Sequence, residues 1–138
     1  MNDKVFLDTN ILVYLYSNTE QNKRNVAYEF VNNHSCVTST QTFNEASNVW
    51  FKKYSLSKHE ITKYLDEIEA VCDETVLVRR KTINQALEIK ERYNYSFYDC
   101  LMLASAIEAN CNIILTEDMG EGQVINSTLK IVNPFKPT

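Results

Sequence analysis

Short apolar runs and helical stretches take turns along this chain, and that alternation restricts the fold more than any other feature. Residues 4–8 form a strand-like run with Val5 and Phe6, residues 20–33 carry Val26, Phe30 and Val31 near helical spacing, and "SCVTS" from Ser35 reads as a second strand. A helix is expected over residues 40–54, where Phe43, Ala46, Trp50 and Tyr54 form one stripe. Ser57 with Glu60 makes a capping-box signature for a helix reaching about residue 72, and "TVLV" at 75–78 is a third strand. Thr82 with Gln85 is expected to open the next helix in the same way, and Ser96 with Asp99 the one after it, "YDCLMLASAIEAN". "NIILT" at 112–116 is a fourth strand, and "LKIVNPF" adds a fifth before Pro134 stops it. Strands separated by helices require crossover connections, so the expected fold is α/β: a mainly parallel central sheet of four to five short strands flanked by helices, in one domain over residues 1–138.

In such a sheet ligands gather at the carboxyl ends of the strands, which gives weight to acids placed there. Residues 5–10 read "VFLDTN", and a second apolar run, "ILVYLY", follows at once. Asp8 thus sits at the end of the first strand, while Glu117 and Asp118 follow the fourth. Asp99 precedes "CLMLASAI", which is apolar almost all round and marks a buried helix. A carboxylate at that third helical position also serves as an ordinary cap facing the positive end of the helix dipole. Glu45, in "TFNEASNVW", reads locally as well as a solvated helix residue as a functional one.

Two glycines, Gly120 and Gly122, are too few for a P-loop or a dinucleotide fingerprint. A haloacid-type phosphatase would want Asp at position 10, where Asn10 stands, and a receiver domain would not account for residues 93–110. Nucleophilic Cys or Ser catalysis lacks a histidine in any recognisable motif, since His34 and His59 lie outside them all. Cys36, Cys72, Cys100 and Cys111 have no C-x-x-C spacing and lie mostly in apolar runs, as buried free thiols do in a reduced cytosolic setting. The apolar stretch after Val5 is too short and too polar at its middle to span a bilayer, and no signal core precedes it. The net charge of −4 hides a segregation: residues 52–92 hold nine of the fourteen Lys and Arg against eight acids, the remainder five against ten. Charge alone neither demands nor excludes a nucleic acid.

Four blocks, "FLDTNILVYLY", "TQTFNEASNVW", "SFYDCLMLASAIEANCNIILTEDM" and "GQVINSTLKIVNPF", in this order and spacing, resemble the PIN-domain nucleases, and among them the VapC-type toxins of toxin-antitoxin pairs. The similarity covers nearly the whole chain. It implies a small parallel-sheet domain in which four acids converge on a divalent ion and RNA is hydrolysed to ends bearing 5'-phosphate and 3'-hydroxyl. Carried over by position, those acids are Asp8, Glu45, Asp99 and Asp118, with Asn10, Thr116 and Glu117 around them. Asp118 rather than Glu117 matches the family's Thr-x-Asp pattern through Thr116. The resemblance further implies an antitoxin protein received in a hydrophobic groove and a homodimer, while the cysteine usage and the lack of a signal core lead to the expectation of a cytoplasmic location. A PIN-like module that binds RNA or protein without cleaving is the alternative, and it predicts a lost acid; none of the four is missing.

Electrostatics explains why such a cluster would need an ion. Two carboxylates ~4 Å apart repel by about 4 kcal/mol at an effective dielectric of ~20, so several together stay ionised readily only beside a cation. All-oxygen ligation favours Mg²⁺ or Mn²⁺ over zinc. The expectation is metal-assisted hydrolysis with Asp8, Asp99 and Asp118 on the ion and Glu45 binding through water or orienting the nucleophile. Tyr93, Tyr95, Phe97 and Tyr98 form an aromatic cluster that suits either base stacking or packing.

Overall fold

The computed structural model describes residues 3–136; the first two and last two residues of the expected domain lie outside them. The elements follow the order β1 (Lys4–Leu7), α1 (Thr9–Tyr14), α2 (Gln21–Asn33), β2 (Ser35–Ser39), α3 (Thr40–Tyr54), α4 (Lys58–Val71), β3 (Glu74–Val76), α5 (Arg80–Arg92), α6 (Phe97–Glu108), β4 (Ile113–Leu115), β5 (Val124–Ile125) and β6 (Leu129–Val132). The sheet runs β3-β2-β1-β4-β6-β5, parallel throughout except for the β5–β6 pair. This is the expected α/β class, with helices on both faces of a mostly parallel sheet.

Alternation along β1 shows how the two faces are filled. Phe6 points toward α5 and α6 and packs with Ile114, Ile131 and Leu103. Val5 and Leu7 point the other way, toward Ile11, Leu12, Trp50 and Ile68 of α1, α3 and α4. With apolar layers on both sides, the inner strands read as nearly continuous apolar runs rather than alternating ones. Helix α6 is the central buried helix expected from its sequence: Cys100 through Ala106 are all buried, and Ser96 caps it by accepting a hydrogen bond from the Asp99 N–H at 3.2 Å.

Three local expectations change. The third strand ends at Val76, opposite Ser39, because β2 offers no partner beyond that residue; Leu77 is 53% exposed, and the Val78 N–H donates to Thr40 Oγ1. Helix α5 starts at Arg80, so Thr82 sits inside the first turn rather than opening it. Its hydroxyl accepts from the Arg79 N–H and donates to Glu108 Oε1 at 2.7 Å, which ties α5 to α6. The strand β5 was not anticipated: a turn with Asn126 and Ser127 at positive φ folds Val124–Ile125 back on β6 without any glycine. The Ser57–Glu60 capping box forms as expected. All four cysteines are buried free thiols, and burial first of all pushes Cys36 up to about 11 and Cys72 and Cys111 up to about 12.

Candidate active site

The chain leaves β1 for β2 and β3 on one side of the sheet, then returns to place β4 on the other side of β1. The crevice beyond the carboxyl ends of β1 and β4 is therefore the topological switch point, where open α/β sheets bind ligands. Asp8 ends β1 and Asp118 lies in the loop after β4. Helices α3 and α6 bring Glu45 and Asp99 to the same place. A cavity of about 330 Å³ there is lined by all four acids together with Thr9, Asn10, Asn48 and Val49.

Asp8 is the most constrained of the four. It is the N-cap of α1, and the side chain is only 6% exposed. Its Oδ1 accepts from the Thr9 N–H and its Oδ2 from the Thr116 hydroxyl, each at 2.7 Å. Burial raises its pKa to about 6; the Thr116 and Thr9 hydrogen bonds oppose that rise, and the nearby Asp99 and Glu45 charges add to it. Asp99 is also raised, first by burial and then, against the Ser96 hydrogen bond, by the charges of Asp118 and Glu45. For Asp8 and Asp99 the neighbouring carboxylates thus add to the effect of burial, as like charges nearby do.

Glu45 and Asp118 are held by amides and hydroxyls. Glu45 Oε1 accepts from Thr9 Oγ1 at 3.0 Å, and Oε2 from Gln41 Nε2, one turn earlier on α3, at 2.7 Å. Asp118 Oδ2 accepts from Asn10 Nδ2 at 2.8 Å, while its backbone N–H donates to Thr116 Oγ1. Thr116 therefore touches both Asp8 and the Asp118 backbone. Glu117 faces away from the cavity: its Oε1 accepts from Tyr14 Oη at 2.6 Å and its Oε2 from Lys23 Nζ at 2.5 Å. Those bonds hold its carboxyl below the usual range against the opposing effect of burial. The chain bends over residues 117–119 just after β4, with the Asp118 N–H bonded to Thr116 Oγ1, and there Asp118 faces the cavity while Glu117 faces α1 and α2.

Sequence reasoning missed Thr9, Gln41 and Asn48. The Gln41–Glu45 pair has the i, i+4 spacing of helical neighbours and was readable in principle; Thr9 and Asn48 depend on contacts between α1 and α3. The aromatic cluster serves mostly as bracing. Tyr93 Oη accepts from the Asn126 N–H, Tyr95 Oη bonds Gln123 and accepts from the Gly120 N–H, and Tyr98 is 59% exposed.

The donor set suits a hard divalent cation. It consists of carboxylate oxygens, and among the described residues none of the ion pairs, Lys4–Glu74, Lys23–Glu20 and Lys23–Glu117, involves a cavity acid. The four carboxylates are not drawn into a ready-made ligand shell, for among the described residues no group of three or more His, Cys, Asp or Glu side chains stands close enough to share an ion. The hydrogen bonds from Thr9, Gln41, Asn10 and Thr116 hold Asp8, Glu45 and Asp118 around the cavity wall instead.

This is a small α/β domain whose switch-point crevice is lined by acids from four separate segments. Residues 5–120 match the PIN domain, and the chain belongs to that family of nucleases. No curated protein matches the chain significantly. Among solved structures, it is similar to a toxin-antitoxin complex from Klebsiella pneumoniae, at 18% identity and a TM-score of 0.70, covering 96% of this chain and 99% of that one. It also resembles VapC20 of Mycobacterium tuberculosis, a sarcin-ricin loop cleaving toxin, at 16% identity and a TM-score of 0.65, covering 80% and 86%. VapBC2 from Rickettsia felis, bound to a DNA fragment from its promoter, matches at 18% identity and 0.64, covering 94% and 99%. At these identities the likeness is one of fold. No helix among the described residues is long and apolar enough to cross a membrane.

Proposed function

We propose that this protein is a Mg²⁺- or Mn²⁺-dependent endoribonuclease that hydrolyses RNA phosphodiester bonds, and that it acts in the cytoplasm as the toxin of a type II toxin-antitoxin pair. The observation that carries the reading is the meeting of Asp8, Glu45, Asp99 and Asp118 in one cavity, with no cationic side chain among the described residues paired to them. Asp8, Asp99 and Asp118 would hold the ion, and Glu45 would bind through water or orient the nucleophile. When bound, the ion supplies Lewis-acid polarisation of the scissile phosphate and a lowered pKa for the attacking water.

The chain's own residues then act by orientation. Thr116 and the Thr9 N–H each hold one oxygen of Asp8 at the edge of the cavity. Thr9 and Gln41 fix Glu45, where a carboxylate can hold the hydrogen of an attacking water. Asn10 sets the plane of Asp118. Such supporting hydrogen bonds fix the orientation of ligands and, for carboxylates, favour the ionised form that binds a cation.

Restraint by an antitoxin and assembly as a homodimer belong to the same proposal. A cavity of about 260 Å³ at the far ends of α1 and α3, walled by Val13, Trp50, Tyr54, Leu56 and Tyr64, offers an apolar surface for a partner segment. The deciding assay incubates total RNA with the protein and Mg²⁺, comparing wild type with Asp8→Asn. Cleavage by wild type alone is expected. Identical RNA patterns in the two reactions would leave only a binding role.

A further inference from the structure

An acid-lined cavity repels the polyanion it is meant to cleave, so a ribonuclease of this design needs donors at the rim that are not already committed. The lining supplies few. The Thr9 hydroxyl is used on Glu45 and the Asn10 amide on Asp118, and just behind the wall the Gln41 amide is used on Glu45. Asn48 lines the same cavity, is exposed, and has no side-chain hydrogen bond among the described residues.

Asn48 lies one turn beyond Glu45 on α3, and Lys52 one turn beyond Asn48, all on one face. Along a helix rising about 1.5 Å per residue, Lys52 stands about 10 Å from Glu45, within side-chain reach of a phosphate next to the one being cleaved. Lys52 is exposed and takes part in none of the ion pairs among the described residues. Its neighbour Lys53 differs: that ammonium lies over the Tyr54 ring, 5.6 Å from the centroid.

We infer that Asn48 and Lys52 form a backbone track for single-stranded RNA, with the Asn48 amide donating to the scissile phosphate and the Lys52 ammonium neutralising the adjacent one. The inference rests on the ribonuclease reading and adds to it the direction in which substrate leaves the cavity, along α3. A neutral donor and a cation have different signatures. Only the cation releases a counterion on binding, so only its loss changes the dependence of affinity on salt.

The test measures binding of a short, fluorescein-labelled single-stranded RNA by anisotropy across a salt series, with Ca²⁺ in place of Mg²⁺, for the full chain and its Asn48→Ala, Lys52→Ala, Lys52→Arg and Lys53→Ala variants. Asn48→Ala is expected to weaken binding about fivefold at unchanged salt slope. Lys52→Ala is expected to weaken it and to lower the slope by about 0.7, the value for one single-strand phosphate contact, while Lys52→Arg keeps the wild-type slope. Lys53→Ala stays within about twofold of wild type, as a lysine off the track should. Wild-type binding in both Asn48→Ala and Lys52→Ala, equal losses in Lys53→Ala and Lys52→Ala, or a wild-type protein that does not bind RNA would overturn the track. Cleavage of the same RNA in Mg²⁺ is followed in parallel. A protein that binds with these dependences yet never cleaves refutes hydrolysis and keeps the track; one that cleaves with all variants binding alike refutes the track and keeps hydrolysis.

Discussion

Replacing Asp8 by Asn separates a site residue from a structural one. The Asp8 carboxyl moves from an ordinary 3.8 to about 6 in the folded protein, chiefly through burial, and that interval corresponds to about 3 kcal/mol. The sign follows from proton binding. Below about pH 4 the group is protonated in folded and unfolded chains alike and contributes nothing. Between there and about pH 6 the folded chain binds the extra proton, so stability falls as pH rises; above that, the folded chain carries the full cost of a buried charge. Asn keeps the shape, is as good an N-cap as Asp, and can still accept from the Thr9 N–H. Metal-free Asp8→Asn is therefore expected to exceed wild type by about 2–3 kcal/mol at pH 8, with the difference gone near pH 4. Urea denaturation in EDTA at several pH values reads this directly, as a midpoint shift of about 1–2 M. With Mg²⁺ the order should narrow or reverse, because ion binding stabilises only the chain that retains the carboxylate. An Asp8→Asn protein less stable than wild type in EDTA at pH 8 would refute the reasoning and mark the residue as a structural cap.

The other expectations test the surroundings. Thr116→Val removes the hydrogen bond to Asp8 and the acceptor for the Asp118 N–H, costing about 1–2 kcal/mol. Because that bond lowers the Asp8 pKa, its loss should also move the acid limb of the Mg²⁺-dependent pH–rate profile to higher pH. Glu117→Gln should cleave RNA within a few-fold of wild type and lose at most about 1 kcal/mol on melting, since its partners are Lys23 and Tyr14. Asp118→Asn should lose activity by orders of magnitude with the fold intact; equal losses in the two variants would contradict the assignment. Trp50→Ala, which empties a buried position between α1, α3 and α4, should cost about 3–5 kcal/mol in urea titration.

Asp8 was legible because it stands at the carboxyl end of a strand, where such sheets bind ligands, although it also caps α1, and Asp118 because it follows a strand of the same sheet. Asp99 was ambiguous for a physical reason: it stands in the first turn of α6, next to the Ser96 cap, and on the cavity wall at once. Glu45 could not be read locally, since its placement depends on the contact of α3 with Thr9, distant in sequence. Only resemblance to a family singled it out. Glu117 and Asp118 are adjacent acids after one strand, and which of them faces the cavity is set by the bend over residues 117–119 and by partners distant in sequence, Asn10 for Asp118 and Tyr14 and Lys23 for Glu117. The elements themselves were readable from periodicity, except where pairing rather than propensity set the limit, as at Val76, or where Asn126 and Ser127 took a left-handed turn usually signalled by glycine.

The anomalous difference map of a crystal grown with MnCl₂ addresses the shared ion site itself. A peak is expected at the carboxyl end of β1 and β4, about 2.1 Å from oxygens of Asp8, Asp99 and Asp118, and lost in Asp8→Asn. No peak among those oxygens, or an equal peak in the Asp8→Asn crystal, would contradict it.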